Sequence, residues 1–403
     1  MSKSLCITWI VMLHILFSCS RKEGMKQDEL TFDDCSIVAE RIDLNGKELI
    51  DLDLLSIKDT FNIPLSFLLS SFDIIRLENK EEAITAAGQD TYIAVSDNYI
   101  MINSFKAGSS NKLYDRNGKY LRALSSSGQG PDEYNLGLYD MWLDENNDKA
   151  YLMSVSASKL LVFDLDGKPS KHIPLAYTTH KGRFAINPEN QSLTMMCLPF
   201  RGTPTALVWE QDFNGHVIQE YPVSEQFMIL PSTYDNEIRE SLNSGAMDLY
   251  LHNCVAAQDS LYQYDTATNS LTPVFTMHTK NEPICHFYTE LPNHYLVTWY
   301  TQTSWNNELP RFPKILVDKE TLRGCYVNLK FNMIGNIDGP SNLSFSRGYL
   351  TAIMEPYALK EQLEKALSLP DKLSPGMRKK VKDLNDSITD DDNCIVFIGK
   401  LKK

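Results

Sequence analysis

The chain lacks most of the short signatures that announce a chemistry. Its eight cysteines contain no C-x-x-C pair, so a zinc knuckle or a thioredoxin-type dithiol is not indicated. No G-x-S-x-G elbow, Walker-type phosphate loop, H-E-x-x-H motif or sialidase-type Asp-box (S-x-D-x-G-x-T-W) occurs. Positive charge is scarce: 39 Lys and Arg stand against 52 Asp and Glu, a formal net charge of −13. No basic run carries interleaved aromatics, and an acidic chain repels phosphate backbones, so nucleic acid is not an expected partner. Arg378-Lys379-Lys380 is the densest basic stretch, and its acidic neighbours make it a solvated helix face. Beyond the first residues there is no apolar run approaching the roughly 20 residues a membrane span needs. Helical periodicity is almost absent from Cys35 to Phe345. What remains is an ordinary globular composition, 43% hydrophobic and 23% charged.

The N-terminus is the most informative segment. Lys3, an apolar run from Leu5 to Phe17 and then Ser18-Cys19 follow the order of a secretory signal. No A-x-A site follows. Leu16-Phe17-Ser18-Cys19 instead resembles the lipobox of bacterial lipoproteins, which implies cleavage before Cys19 and lipidation of that residue. The competing reading is an ordinary signal with an incidental cysteine. The domain boundaries that follow are a signal peptide over 1–18, a lipid-anchored tether over 19–34 and a folded domain over 35–403. Ser20 to Asp34 is polar and charged, as a tether should be.

Six cysteines remain after processing: Cys35, Cys197, Cys254, Cys285, Cys325 and Cys394. An exported chain could oxidise them. Several sit inside apolar strand-like runs, where free cysteine packs as a small hydrophobe, so mostly reduced core thiols are expected.

A repeat sets the fold class. Lys112-Leu-Tyr-Asp-Arg-Asn-Gly-Lys119 reads as a strand, a tight turn and a returning strand. Residues 159–168 and 207–216 repeat it, with turn glycines at Gly118, Gly167 and Gly215, spaced by 49 and 48. Asn-Gly and Asp-Gly supply the positive φ of hairpin turns. Two looser copies, 261–271 and 315–325, lack the glycine. A period near 50 residues matches a four-stranded propeller blade. The expectation is an all-β, six-bladed β-propeller with a small helical insertion, about 356–389, before the C-terminal strand. Leu359, Leu363 and Leu367, then Met377, Val381, Leu384 and Ile388, recur at helical spacing, with Ser374-Pro375 as N-cap and first-turn pair. Five blades carry the repeat. The sixth is assembled from the ends, with Ile37–Leu44 and Cys394–Leu401 expected to adjoin within it, which disfavours a Cys35–Cys394 disulfide.

Gly128-Gln-Gly-Pro-Asp-Glu-Tyr134 follows the first clear hairpin. With Leu77-Glu78, Asn336-Ile-Asp-Gly339 and Ile395-Val-Phe-Ile-Gly-Lys-Leu401, this stretch resembles the six-bladed β-propeller lipoproteins of Bacteroidota, which typically carry G-x-G-P-G-E-Y there. The resemblance covers nearly the whole mature chain and implies fold and anchoring. It supplies no agreed activity and no catalytic residues. Asp132 replaces the family glycine, and Asp tolerates positive φ better than most residues.

No catalytic residues, cofactor or metal site emerge. His278, His286 and His294 lie eight apart, which is not a local ligand spacing. Glu133 could act as an acid or a ligand, but a turn cap bonding backbone N–H groups is the preferred reading. The ligand-binding candidates are Trp305 and Arg311, within Trp299 to Phe312, and Arg201 in the corresponding loop two blades earlier. Aromatic faces bury the C–H faces of sugars or peptide side chains, and amides and guanidinia orient them. In the alternative, Trp299 and Phe312 belong to the core and only the middle is exposed. The functional expectation is a lipid-anchored binding or scaffolding protein of the cell envelope, at the outer membrane on its periplasmic or surface face. Its ligand would be a glycan, a peptide or an envelope protein. The alternative is a propeller lyase or hydrolase with its site at the channel mouth.

Overall fold

The computed structural model describes residues 32–88, 91–104, 109–202, 206–229, 236–252, 260–278, 285–300, 313–369 and 372–403. Its repeating element is an aspartate. Asp115, Asp164, Asp212, Asp265 and Asp318 each end the third strand of a four-stranded antiparallel unit. The Asp115 carboxylate accepts from the N–H groups of Asn117 (2.8 Å) and Lys119 (3.0 Å), and Asp212 accepts from Asn214 (2.8 Å) and His216 (2.9 Å). Asp265 and Asp318 do the same for Ala267 (2.9 Å) and Glu320 (3.1 Å). The side chain closes the turn whether or not glycine follows. That is why the looser copies fold alike without the glycine: Asn269 and Leu322 take the positive φ instead.

Six sheets radiate from one axis, so the architecture is the expected six-bladed propeller. Blades 1 to 5 occupy residues 91–126, 138–179, 182–222, 237–278 and 285–330. Blade 6 is built in the order Ser344–Ser346, Tyr349–Met354, Ile395–Leu401 and Leu69–Arg76. Its last strand comes from the N-terminal side and pairs antiparallel with Ile395–Leu401, which closes the ring.

The closing partner differs from the one expected. Residues 37–44 lie elsewhere: Ala39–Leu44 and Lys47–Asp53 form a hairpin across Asn45-Gly46, both at positive φ. This hairpin joins the outer edge of blade 4 through a parallel pairing with Ser270–His278. Thr60–Pro64 then pairs parallel with the outer strand of blade 5, Gly324–Lys330. Leu69–Arg76 completes blade 6. The N-terminal segment is thus a belt that caps three successive outer edges, each of which would otherwise present unpaired backbone groups. A sequence pattern shows that a strand needs a partner, but not which of six equivalent edges supplies it.

Two helices, Pro356–Leu367 and Pro375–Ser387, fall between the last two strands of the chain, and Ser374 caps the second by accepting from Met377 N–H. Leu359, Leu363 and Val381 are fully buried in a core shared with Phe331, Ile334 and Phe397. No helix among the described residues is long and apolar enough to cross a membrane.

The G-x-G-P-x-E-Y stretch forms the loop from blade 1 to blade 2. Glu133 folds back and accepts from Gly130 N–H at 2.7 Å, the turn-capping role. A side chain at Gly128 would meet the Glu133 carboxylate at 1.9 Å. Neither Gly128, Gly130 nor Asp132 has positive φ, so these glycines are required for close approach rather than for conformation. Asp132 therefore causes no strain, and its carboxylate meets His172 of blade 2 at 2.9 Å. Tyr134 is buried and bonds Asn103 and Ser109.

Candidate functional site

The first strand of each blade lines the axis: Thr91–Val95, Leu138–Asp144, Gly182–Asn187, Glu237–Arg239, Cys285–Glu290 and Ser344–Ser346. These strands are short, and most interrupt their apolar pattern with charged residues. The interruptions meet on the axis.

Arg347 closes one level of the channel. It occupies the turn after Ser344–Ser346 at φ +53°, beside Gly348 at +82°. A non-glycine residue there costs about 1 kcal/mol. The side chain crosses from blade 6 to three others. It reaches Glu240 at 2.9 Å, Asp140 at 3.2 Å and the Phe184 carbonyl at 3.3 Å, and it lies over the Trp142 ring at 4.4 Å. Burial, with Asp140 adding, raises the pKa of Glu240, while Arg347 opposes the shift.

The next level, nearer the start of the inner strands, belongs to Arg183, Lys181, Glu237, Tyr139 and Arg239. Arg183 spans three blades, donating to the carbonyls of Tyr139 (2.7 Å) and Ile238 (3.2 Å). Burial opposes its charge, but Asp140 and Tyr139 outweigh that and raise its pKa. Lys181 pairs with Glu237 at 2.6 Å, and the Tyr139 hydroxyl donates to the other Glu237 oxygen. The Arg239 guanidinium carbon stands over the Phe287 ring of blade 5, 3.9 Å from its centroid. Arg239 is exposed, and among the described residues its side chain makes no hydrogen bond or ion pair, the Glu237 charge acting on it only from a distance. The surrounding protein, then the Arg183 charge, push its pKa down. Tyr92 of blade 1 lies close enough to interact electrostatically with both guanidinia. Three cations, Lys181, Arg183 and Arg239, thus stand against two carboxylates, Glu237 and Asp140, beside the rings of Tyr139 and Phe287, which leaves an excess of one positive charge. A local excess of positive charge attracts an entering anion.

The sequence-level candidates are placed as follows. Cys19, Trp305 and Arg311 lie outside the described residues. Arg201 is exposed and pairs with Glu225 at 2.8 Å; its backbone N–H bonds the Ile229 carbonyl in the segment leading to the inner strand of blade 4. Arg201 follows the second strand of blade 3. Trp299 is half-buried, on a cavity of about 430 Å³ lined also by Tyr326, Lys314 and Asn328. The three histidines do not converge: His278 bonds Asp51, His286 is buried near Tyr250, and His294 packs on Phe32 and Phe67. No group of three metal-ligating side chains occurs among the described residues. Arg183, Arg239, Phe287 and Arg347 were not singled out from the sequence. The only local signal is an arginine interrupting an apolar inner strand.

Comparison with known proteins fits this architecture. The chain belongs to the family described as domain of unknown function DUF4934. The family model matches residues 47–400, so it takes in the belt from its second strand and all six blades. The fold is similar to that of a Bacteroides fragilis NCTC 9343 protein described as exported. That likeness has a TM-score of 0.59 at 14% identity, covering 88% of this chain and 100% of the other. A DUF4221 family member from Bacteroides vulgatus ATCC 8482 is a looser match, with a TM-score of 0.44 at 11% identity, covering 83% of this chain and 98% of the other. No curated protein matches the chain in sequence.

Proposed function

We propose that this DUF4934 protein is a lipid-anchored binding protein of the bacterial outer membrane, facing the periplasm or the cell surface, that holds a carboxylate-bearing ligand at the Arg239 level of its channel. The observation that carries the reading is Arg239: exposed, over the Phe287 ring, near the Arg183 charge and without a hydrogen-bonded or ion-paired partner among the described residues. A guanidinium held over an aromatic ring keeps its N–H donors free for a ligand, and a carboxylate matches its donor edge with two parallel hydrogen bonds. Tyr92 and Tyr139 supply apolar walls with polar tips. Arg201, with Trp305 and Arg311, would contact the remainder of a glycan, peptide or envelope protein. Support for export comes from the lipobox-like Leu16-Phe17-Ser18-Cys19 and from the exported Bacteroides fragilis protein of similar fold.

The test is calorimetric titration of the lipid-free protein with uronate oligosaccharides and acidic peptides, each against its neutral amide. Acidic ligands should bind and their amides should not. Arg239→Gln should weaken binding about tenfold or more, as expected for a charged hydrogen-bonded pair, with the melting temperature nearly unchanged. Equal binding of the amides, or undiminished binding to a folded Arg239→Gln protein, would remove the anion site. Turnover of a bound ligand would replace the binding reading with the lyase or hydrolase one. Weakening by Trp305→Ala in a stable protein would bring that loop into the site.

A further inference from the structure

Cys35 and Cys325 are both completely buried and far apart in sequence. The short segment before the belt lies antiparallel to the start of the outer strand of blade 5. Ile37 is bridged to Arg323, Val38 N–H bonds the Leu322 carbonyl at 2.9 Å, and Gly324 N–H bonds the Ser36 carbonyl at 3.0 Å. These two bonds flank the Ile37–Arg323 pair, which makes it a non-hydrogen-bonded pair. Continued two residues along, that register would set Cys35 opposite Cys325 at another non-hydrogen-bonded position, although the ladder ends before it, with Cys35 N–H turned back to the Phe32 carbonyl and Tyr326 N–H bonded to the Asp59 carbonyl. Such positions bring Cα atoms to about 4.5 Å and their side chains closest together. That separation lies inside the roughly 4.4–6.8 Å range of disulfides. The two thiols are close enough for each to dominate the other's titration, lowering the pKa of Cys35 and raising that of Cys325. Two other buried cysteines are occupied differently: Cys197 meets the Leu198 carbonyl at 3.4 Å, and Cys394 meets the Thr85 carbonyl at 3.3 Å.

We propose that Cys35 and Cys325 are joined by a cross-strand disulfide in the exported protein. The proposal rests on the envelope location above, because a reducing compartment would keep the thiols. The oxidant is an oxidised dithiol protein of the envelope. One thiolate attacks its disulfide, the second displaces the mixed disulfide, and the oxidant leaves as a dithiol carrying the two electrons and two protons. The exchange takes place as the segment docks, before both sulfurs are buried. The bridge fastens the chain to blade 5 only 16 residues after Cys19, so the tether ends at a covalent point on the ring.

The full chain is examined in its host by acid quenching, alkylation of free thiols, reduction, and labelling with a second reagent. Cys35 and Cys325 should carry only the second label, and Cys197 and Cys394 the first. In a second arm the reduced protein is incubated with oxidised glutathione in mild denaturant and digested without reductant, which should yield one peptide pair joining Cys35 to Cys325. Dithiothreitol should lower the melting temperature of the bridged protein by about 5 °C and leave Cys35→Ser unchanged. First-label Cys35 and Cys325 in the host with a cross-link in the second arm would overturn the export reading, and the native bridge with it. Failure to cross-link in the second arm, or bridging to other cysteines, would overturn the pairing itself.

Discussion

Arg347 shows how much one side chain can carry in a ring. Its left-handed backbone costs about 1 kcal/mol, which glycine or asparagine would avoid. The arginine is offset by what its guanidinium meets: two carboxylates almost wholly withdrawn from solvent, Asp140 and Glu240. Removing the cation from a buried pair leaves an uncompensated charge, at a cost of about 3–5 kcal/mol. Arg183 stands 3.5 Å from Asp140 and compensates part of the loss, so the low end of that range applies. Arg347→Gln should therefore lower unfolding stability by about 3 kcal/mol in urea titrations, and adding Glu240→Gln should restore part of it. A loss under about 1 kcal/mol would mean that the channel cluster is already solvated. At the same scale, Glu133 was legible before the structure. A carboxylate three residues beyond a glycine in a tight loop has few places to go but back onto the backbone. Arg239 was not legible, because nothing local distinguishes an arginine that faces a channel from one that faces bulk water.

At the scale of elements, the belt is held at blade 4 by backbone pairing and by one titrating contact. His278, on the outer strand of blade 4, bonds Asp51 of the belt at 2.8 Å and stands 3.8 Å from Asp53. The Asp51 hydrogen bond, helped by the charges of Asp51 and Asp53, raises the pKa of His278 above its ordinary value. A histidine whose folded pKa is raised stabilises fully below its unfolded pKa, near 6.5, and loses that contribution as pH rises through the folded value. The side chain is about half exposed, so solvent screening limits the effect to a few tenths of a kcal/mol. The belt should dock more firmly at pH 6 than at pH 8.5. His278→Gln should remove that difference, read as hydrogen exchange of the amides in Lys47–Asp53. Identical pH dependence in the two proteins would assign the effect to other groups.

The whole molecule is a ring closed by non-neighbouring segments. Blade 6 takes three strands from the C-terminal part and its outer strand from the N-terminal part, so each end of the folded domain completes sheet edges for the other. The belt extends this closure to blades 4 and 5. On the proposal that Cys19 carries lipid, the ring hangs from the membrane by the segment that leads into the belt. Several acyl chains hold a protein firmly, at about 0.8 kcal/mol per buried methylene. Cys19→Ala should therefore move the protein from the membrane to the soluble fraction of host cells. A wild-type protein that begins far from Cys19 and carries no lipid would dismiss the anchor.

The sequence by itself determined the class of the fold, the number of blades and the place of the helices. These follow from local rules: a turn closed by aspartate or glycine at a period near 50, and leucines at helical spacing. Tertiary structure alone decided which edge each belt strand joins, because all outer edges offer the same row of donors and acceptors and only docking geometry separates them. It also decided the channel site. Arg183, Arg239, Phe287 and Arg347 come from blades 3, 4, 5 and 6 and spread over more than 160 residues, and only closure of the ring sets them around one axis. Cys35 and Cys325 follow the same logic, since a register between distant strands exists only after they pair.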